Sequence, residues 1–271
     1  MNWHQNQEGI FTSESLHRVS YPEDGNRNLE DIESLSPWFN QRNALILHFL
    51  KKYRSNGDFL DIGAGNGFQA KAIQDAGLFK RVIVCEPGYQ GCVSARKKGL
   101  EHVYQGLFQQ LPFSSFEVSS CGLFDVIEHV ENDIQFLNEL HAFLPKNSYV
   151  FINVPAWMHL WTQTDVFAGH FRRYNRSDIK RIESLTPFTC IASTFYFKHY
   201  YLPMLLLRVI PYKLGKRQSD EALLQNEMNN LKPKEGFIDK YLNIQHKHAM
   251  KQLDKGHTFT YGTSLFMVLK S

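Results

Sequence analysis

Three stretches of this 271-residue chain hold side chains whose types and spacing could do chemistry. The first is Asp61-Ile62-Gly63-Ala64-Gly65-Asn66-Gly67, three alternate glycines with an acid two residues ahead of the first. Such a turn can offer backbone N–H groups to a ligand. Its G-x-G-x-G spacing differs from the G-x-G-x-x-G of a dinucleotide turn, and its carboxylate would repel a pyrophosphate. A ligand bringing an ammonium or a sulfonium suits it better; a plain strand-to-helix turn is the simpler alternative. The second stretch is Asp125-Val126-Ile127-Glu128-His129. Carboxylates beside an imidazole can move protons or hold Mg²⁺, Mn²⁺ or Zn²⁺. Alternatively Glu128 and His129 merely shape a loop and contact a cofactor, and with that preference no metal is expected. The third runs from Asp165 through Gly169, His170, Phe171, Arg172 and Arg173 to Tyr174. An imidazole titrating near pH 6.5 suits proton removal at neutrality, which makes His170 a base candidate. Arg172 and Arg173 can clamp an anionic acceptor, or be neutralised internally by acids such as Asp165. Tyr174 offers a stacking face, unless the segment is a basic surface turn whose Tyr packs inward.

These stretches need elements to position them. Residues 58–62 read as a buried strand, and a helical pattern opens at Phe68 and stops at Gly77. Residues 81–86 make a second strand ending in Glu86, placed to accept hydrogen bonds from ribose hydroxyls; a solvated strand-end acid is the alternative. A helix over 89–98, a short strand near Val103, a strand over 118–126, a helix over 133–144 and a strand over 149–154 follow. Strands alternating with helices predict a parallel, doubly wound α/β sheet whose strand C-termini share one ligand-binding edge. Ahead of it, Ser36 and Pro37 predict the start of a helix over 38–53. Residues 1–37 read as an irregular arm over the core or a disordered leader, with turn chemistry at 21–26. Beyond the core, Ser177 and Asp178 predict a cap for a helix over 179–184. Residues 199–215 read as an apolar helix interrupted by Pro203 and Pro211; it docks on the core, lines an acceptor pocket or rests on a membrane surface, with docking expected. Residues 218–256, polar and charged, read as a mobile excursion.

The ordered set resembles class I S-adenosylmethionine-dependent methyltransferases. The resemblance is carried by Asp61 to Gly67, Glu86, Leu111-Pro112-Phe113, the segment from Phe124 to Val130, and Leu144-Pro145, and it covers about residues 55–155. It implies a Rossmann-like, seven-stranded sheet with an antiparallel last strand, the final two strands falling at 188–197 and 263–269. It also implies a division into an N-terminal helical arm (1–55), a cofactor-binding core (56–155), and an acceptor segment with a helical insertion and the last strands (156–271). By the same resemblance Asp61 and the backbone at Gly63, Ala64, Gly65 and Gly67 would hold the methionine part of S-adenosylmethionine. Glu86 and Pro87 would hold the ribose, and Asp125 would also contact the cofactor. The family often has an Asp ahead of the Leu-Pro segment for the adenine amino group; Gln109 stands there, and an amide can accept the same bond. The acidic-x-x-Glu-His cluster is similar to a divalent-cation site of some quinone-biosynthesis O-methyltransferases. A Gly-His-x-Arg-Arg-Tyr segment, found in similar bacterial enzymes, implies an acceptor site: His170, Glu128 and His129 as catalytic candidates, and Asp165, Arg172, Arg173 and Tyr174 as substrate contacts.

Composition narrows the rest. A net charge of +3 is too small to argue for nucleic acid, and no target-base motif is visible. Four cysteines without C-x-x-C spacing read as reduced thiols of a cytoplasmic protein. No secretory leader is visible, and no apolar run approaches the roughly 20 residues of a membrane span, so stable membrane insertion is not expected, weak surface contact aside. The expected activity is methyl transfer to an O or N atom of a small, anionic and partly hydrophobic acceptor. A catalytically silent cofactor-binding protein is the main alternative, and an NAD-dependent oxidoreductase a weaker one.

Overall fold

The computed structural model describes residues 3–13, 33, 35–233 and 236–271. Two short strands come first, β1 (His4–Gln5) and β2 (Phe11–Thr12). Five parallel strands follow: β3 (Asp58–Ile62), β4 (Val82–Glu86), β5 (His102–Gln105), β6 (Val118–Phe124) and β7 (Tyr149–Pro155). The last two are β8 (Thr189–Tyr196) and β9 (Ser264–Lys270). The order across the sheet is β1-β2-β5-β4-β3-β6-β7-β9-β8, with β9 antiparallel to both of its neighbours. From β5 to β8 this is the expected seven-stranded arrangement. Strands β3 and β4 are buried throughout, their acids Asp58, Asp61 and Glu86 included. The β1–β2 pair extends the β5 edge: Phe11 pairs with Tyr104, and their rings stack at 4.7 Å. This part of the arm is therefore laid on the sheet; the turn expected at 21–26 lies outside the described residues.

Helices cover both faces. Helix α1 (Pro37–Tyr53) starts with Pro37 as expected, although Ser36 makes no side-chain cap. It buries Leu45, Ile46, Phe49 and Leu50, and Phe49 stacks on Phe266 of β9 at 4.8 Å. Helices α2 (Phe68–Asp75), α3 (Tyr89–Lys97) and α4 (Asp133–Phe143) are the crossovers. After β7 come the short α5 (Gln163–Phe167) and then α6 (Arg176–Leu185). Helix α6 starts earlier than the sequence suggested, because Asn175 is its cap: Asn175 Oδ1 accepts from Ser177 N, and Asp178 accepts from Asn175 N.

The apolar segment forms α7 (Lys198–Met204), a π turn (Leu205–Val209) and α8 (Ile210–Lys213). The polar stretch expected to be a mobile excursion instead forms helices α9 (Asp220–Leu231) and α10 (Phe237–Asp254). Ser219 caps α9 and two acids occupy its first turn, so terminal chemistry supports a helix that buries little beyond Leu223. Helix α10 docks through Met250 and Leu253 on the face covered by α1 and α2. All four cysteines are free thiols, three of them buried.

Candidate active site

The edge where β3, β4 and β6 end gathers most of the predicted residues. After β3 the chain takes the left-handed conformation at Gly63, Gly65 and Gly67 (φ 68°, 53° and 72°), which only glycine adopts without strain. Side chains are also excluded by space: a Cβ on Gly63 would stand 2.8 Å from Val126, and one on Gly67 2.8 Å from Ala95 and Leu100. Ala64, between them, is buried. Glu86, at the end of β4, closes the turn from the side. It accepts from Gly65 N at 2.8 Å and from Gly88 N at 2.7 Å across the Pro87 turn, and each oxygen keeps a further lone pair. Burial pushes its carboxyl up while the two amides oppose.

Asp61 differs in kind. It is buried, and neither carboxylate oxygen has a hydrogen-bond partner among the described residues. Burial, reinforced by the charge of Glu86 and opposed by Arg42, raises its carboxyl to about 8. At neutral pH it is an acid held largely protonated.

Arg42, which the sequence reading passed over, reaches this edge from α1. Its guanidinium forms an ion pair with Asp125 and lies 4.6 Å from the centre of the Trp38 ring. Helical spacing held a signal: Arg42 stands three and four residues before Leu45 and Ile46, so it shares their inward face. Asp125 itself adopts φ 58°, unusual for a residue with a side chain. It also accepts from Asn153 Nδ2 at 2.7 Å, and Asn153 in turn accepts from the Tyr196 hydroxyl. A second missed residue is Gly91 in α3: a Cβ there would stand 2.6 Å from the Gly65 carbonyl oxygen.

Next to Asp125, Glu128 is fully buried and both of its oxygens lack a hydrogen-bond partner among the described residues. Burial and then the Asp125 charge push its carboxyl well up. Burial, with His170 nearby, lowers His129 to about 4, so its ring is neutral near pH 7. The rings of His129 and His170 meet edge to face with centroids 4.7 Å apart. One ligand atom each from Glu128, His129 and His170 lie within 4.8 Å of one another. That spacing permits proton exchange and equally fits a divalent cation.

The 165–174 segment divides. His170 Nδ1 meets Asp165 Oδ1 at 2.9 Å. Asp165, buried, also takes a two-pronged grip from Arg173 (Nε 2.7 Å, Nη2 2.9 Å) and a bond from Thr162 N at 2.8 Å. Against the upward pull of burial, His170, Arg173 and Thr162 hold its carboxyl below the usual range. The guanidinium of Arg173 is thus neutralised internally rather than offered to an acceptor. Arg172 turns away to Asp133 (2.9 Å) and the Glu131 carbonyl. Tyr174 is buried in the core, donating to Ile127 O and Asp133 Oδ2 at 3.1 Å and 2.9 Å. An anion clamp built from Arg172, Arg173 and Tyr174 is therefore not what the fold presents: acids on neighbouring elements draw each of them inward. The three catalytic candidates, His170, Glu128 and His129, are the ones the fold brings together. Gln109 donates to Glu139 on α4 at 2.8 Å, which engages its amide nitrogen and leaves the carbonyl for a ligand.

A family model described as a methyltransferase domain matches residues 35–192. No curated protein matches the sequence. Among solved structures, phosphoethanolamine N-methyltransferase 2 of Haemonchus contortus, in complex with S-adenosyl-L-methionine, is similar at TM-score 0.56 and 15% identity. That match covers 94% of this chain, which spans only 58% of the nematode protein. A SAM-dependent methyltransferase of Archaeoglobus fulgidus is similar at TM-score 0.52 and 14% identity, covering 84% of this chain and 92% of its own. One of Thermotoga maritima reaches TM-score 0.51 at 16% identity, covering 91% and 95%. These identities speak for the fold, whereas the family model spans more than half of the residues. The chain belongs to the class I S-adenosylmethionine-dependent methyltransferase family, and S-adenosylmethionine is its cofactor.

Proposed function

We propose that this protein transfers a methyl group to an oxygen or nitrogen atom of a small molecule at the edge where Asp61, Asp125 and His170 gather. The observation that carries the reading is Asp61, a buried carboxyl without a hydrogen-bond partner among the described residues, beside three left-handed glycines. A buried group of this kind is costly unless a ligand completes it. S-adenosylmethionine, when bound, supplies an electrophilic methyl on sulfur. Asp61 would hold its ammonium group, the glycine turn, bare of side chains, would let its methionine part approach the backbone, and Glu86 would take its ribose hydroxyls. Arg42, the cation among these acids, suits its carboxylate.

In this reading Asp165 fixes the Nδ1–H tautomer of His170, which leaves the Nε2 lone pair to take the acceptor's proton as the nucleophile attacks. Residues 56–155 would serve cofactor binding, 156–271 the acceptor side, and 1–55 would cover the edge through Arg42. Titration calorimetry tests the first half: S-adenosylmethionine and S-adenosylhomocysteine bind and NAD does not. Binding of NAD alone would overturn the reading. For the second half, His170→Ala lowers turnover about a hundredfold with cofactor affinity intact. Full turnover in that variant removes His170 from the chemistry.

A further inference from the structure

The segment running through α7, the π turn and α8 is held along one side and bare along the other. On the held side Val209 is buried, the Tyr201 hydroxyl meets His159 Nε2 at 2.6 Å, and Arg208 pairs with Glu227 at 2.9 Å. On the bare side Leu202, Leu206, Leu207, Ile210 and Leu214 are between 41% and 76% exposed. Single exposed leucines are ordinary, but five on one short segment mark a surface that meets something apolar.

Charge says what that something is. Residues 184–219 contain five basic and no acidic residues, in a chain whose net charge is only +3. Lys213 and Lys216 are exposed on either side of Leu214. Arg217 folds over the Tyr212 ring at 3.9 Å. Aliphatic side chains bordered by flexible lysines match an anionic bilayer, where the chains enter the acyl boundary and the ammonium groups reach lipid phosphates. No helix among the described residues is long and apolar enough to cross a membrane, so the contact is peripheral. The bare face also adjoins the site: the turn Met158–Leu160 packs on the π turn, and Met158, half exposed, receives the Arg173 backbone N–H on its sulfur at 3.1 Å.

We propose that the face carrying Leu202, Leu206, Leu207, Ile210 and Leu214 seats the enzyme on an anionic lipid surface. The proposal deepens the methyl-transfer reading by placing its acceptor side against a membrane, but its test needs no turnover. The full chain is sedimented with phosphatidylcholine vesicles containing or lacking phosphatidylglycerol. It binds the anionic vesicles, and high salt weakens that binding. The paired substitution Leu206→Glu with Leu207→Glu lowers binding about tenfold or more, because apolar contact and charge both turn unfavourable. The pair Lys213→Glu with Lys216→Glu lowers it on anionic vesicles only. Calorimetry with S-adenosylmethionine gives the wild-type affinity in all variants, which shows that they fold and keeps this test separate from that of methyl transfer. Failure of the wild-type chain to bind vesicles overturns the proposal, as does binding indifferent to the leucines. So does a concentration-dependent dimer that Leu207→Glu dissolves in the absence of lipid, because the face would then belong to a second copy.

Discussion

A carboxyl raised to about 8 must ionise to receive an ammonium ion, so under the proposed function Asp61 is expected to give up a proton at neutral pH when S-adenosylmethionine binds. Below about pH 7 the ligand's ammonium stays charged, and there affinity for S-adenosylmethionine should climb with pH. Calorimetry at pH 7 in buffers of different ionisation heat should register release of a fraction of a proton approaching one. Asp61→Asn should remove that release and weaken binding by roughly 1.5–3 kcal/mol. A wild-type affinity flat between pH 6 and about 7 would contradict this account of Asp61. Arg173 belongs to a different argument. Its guanidinium is the bidentate partner of buried Asp165, so Arg173→Ala leaves a carboxylate underpaired in the interior. The expected loss is about 3–5 kcal/mol of stability, read by denaturant titration, rather than a raised KM in a stable enzyme. Because the Asp165 carboxyl is held low, its stabilisation is complete above the unfolded value of about 3.9 and disappears as pH falls through the folded one. An Arg173→Ala protein as stable as wild type would return this residue to the acceptor.

Helix α3 shows how a neighbouring element bears on the glycine turn. Gly91 lets it approach until a Cβ would stand 2.6 Å from the Gly65 carbonyl. In isolation Gly91→Ala favours the helix by about 1 kcal/mol, but here the added methyl must push the turn or the helix aside. Cofactor affinity should fall about tenfold, or 1.4 kcal/mol; unchanged affinity in calorimetry would mean that the turn yields freely. At this scale the sequence was a good guide where burial is complete on both faces, as in β4, because an apolar run such as Val82-Ile83-Val84-Cys85 between turns has few other homes. It was a poor guide to α9 and α10, whose stability rests on the Ser219 cap, first-turn acids and docking of a few residues such as Leu253 rather than on an apolar stripe. The hairpin of β1 and β2 was invisible, since two residues cannot show a period. In the site, strand-end acids were legible because a strand's end fixes where they stand. For the 165–174 segment, pairing of an arginine with Asp165 and an inward Tyr174 were legible only as alternatives, and Asp133 on α4, which takes Arg172 and Tyr174, was not legible at all.

The whole molecule depends on its last strand. Among the described residues strand β8 has no partner in the sheet except β9, which separates it from β7. A chain stopped after residue 262 should therefore lose cooperative thermal unfolding, as read by circular dichroism. A sharp transition in that truncation would show that β8 can pair with β7 directly. The same arrangement bears on synthesis. β8 ends at Tyr196 and β9 begins at Ser264, so on the ribosome one strand emerges well before the strand that gives it a place. During that interval the edges of β7 and β8 are both open, and either can be claimed by a foreign strand or a protease. Strand β9 thus acts as a seal, and a chain that lacks it stays recognisable to the cell as unfinished.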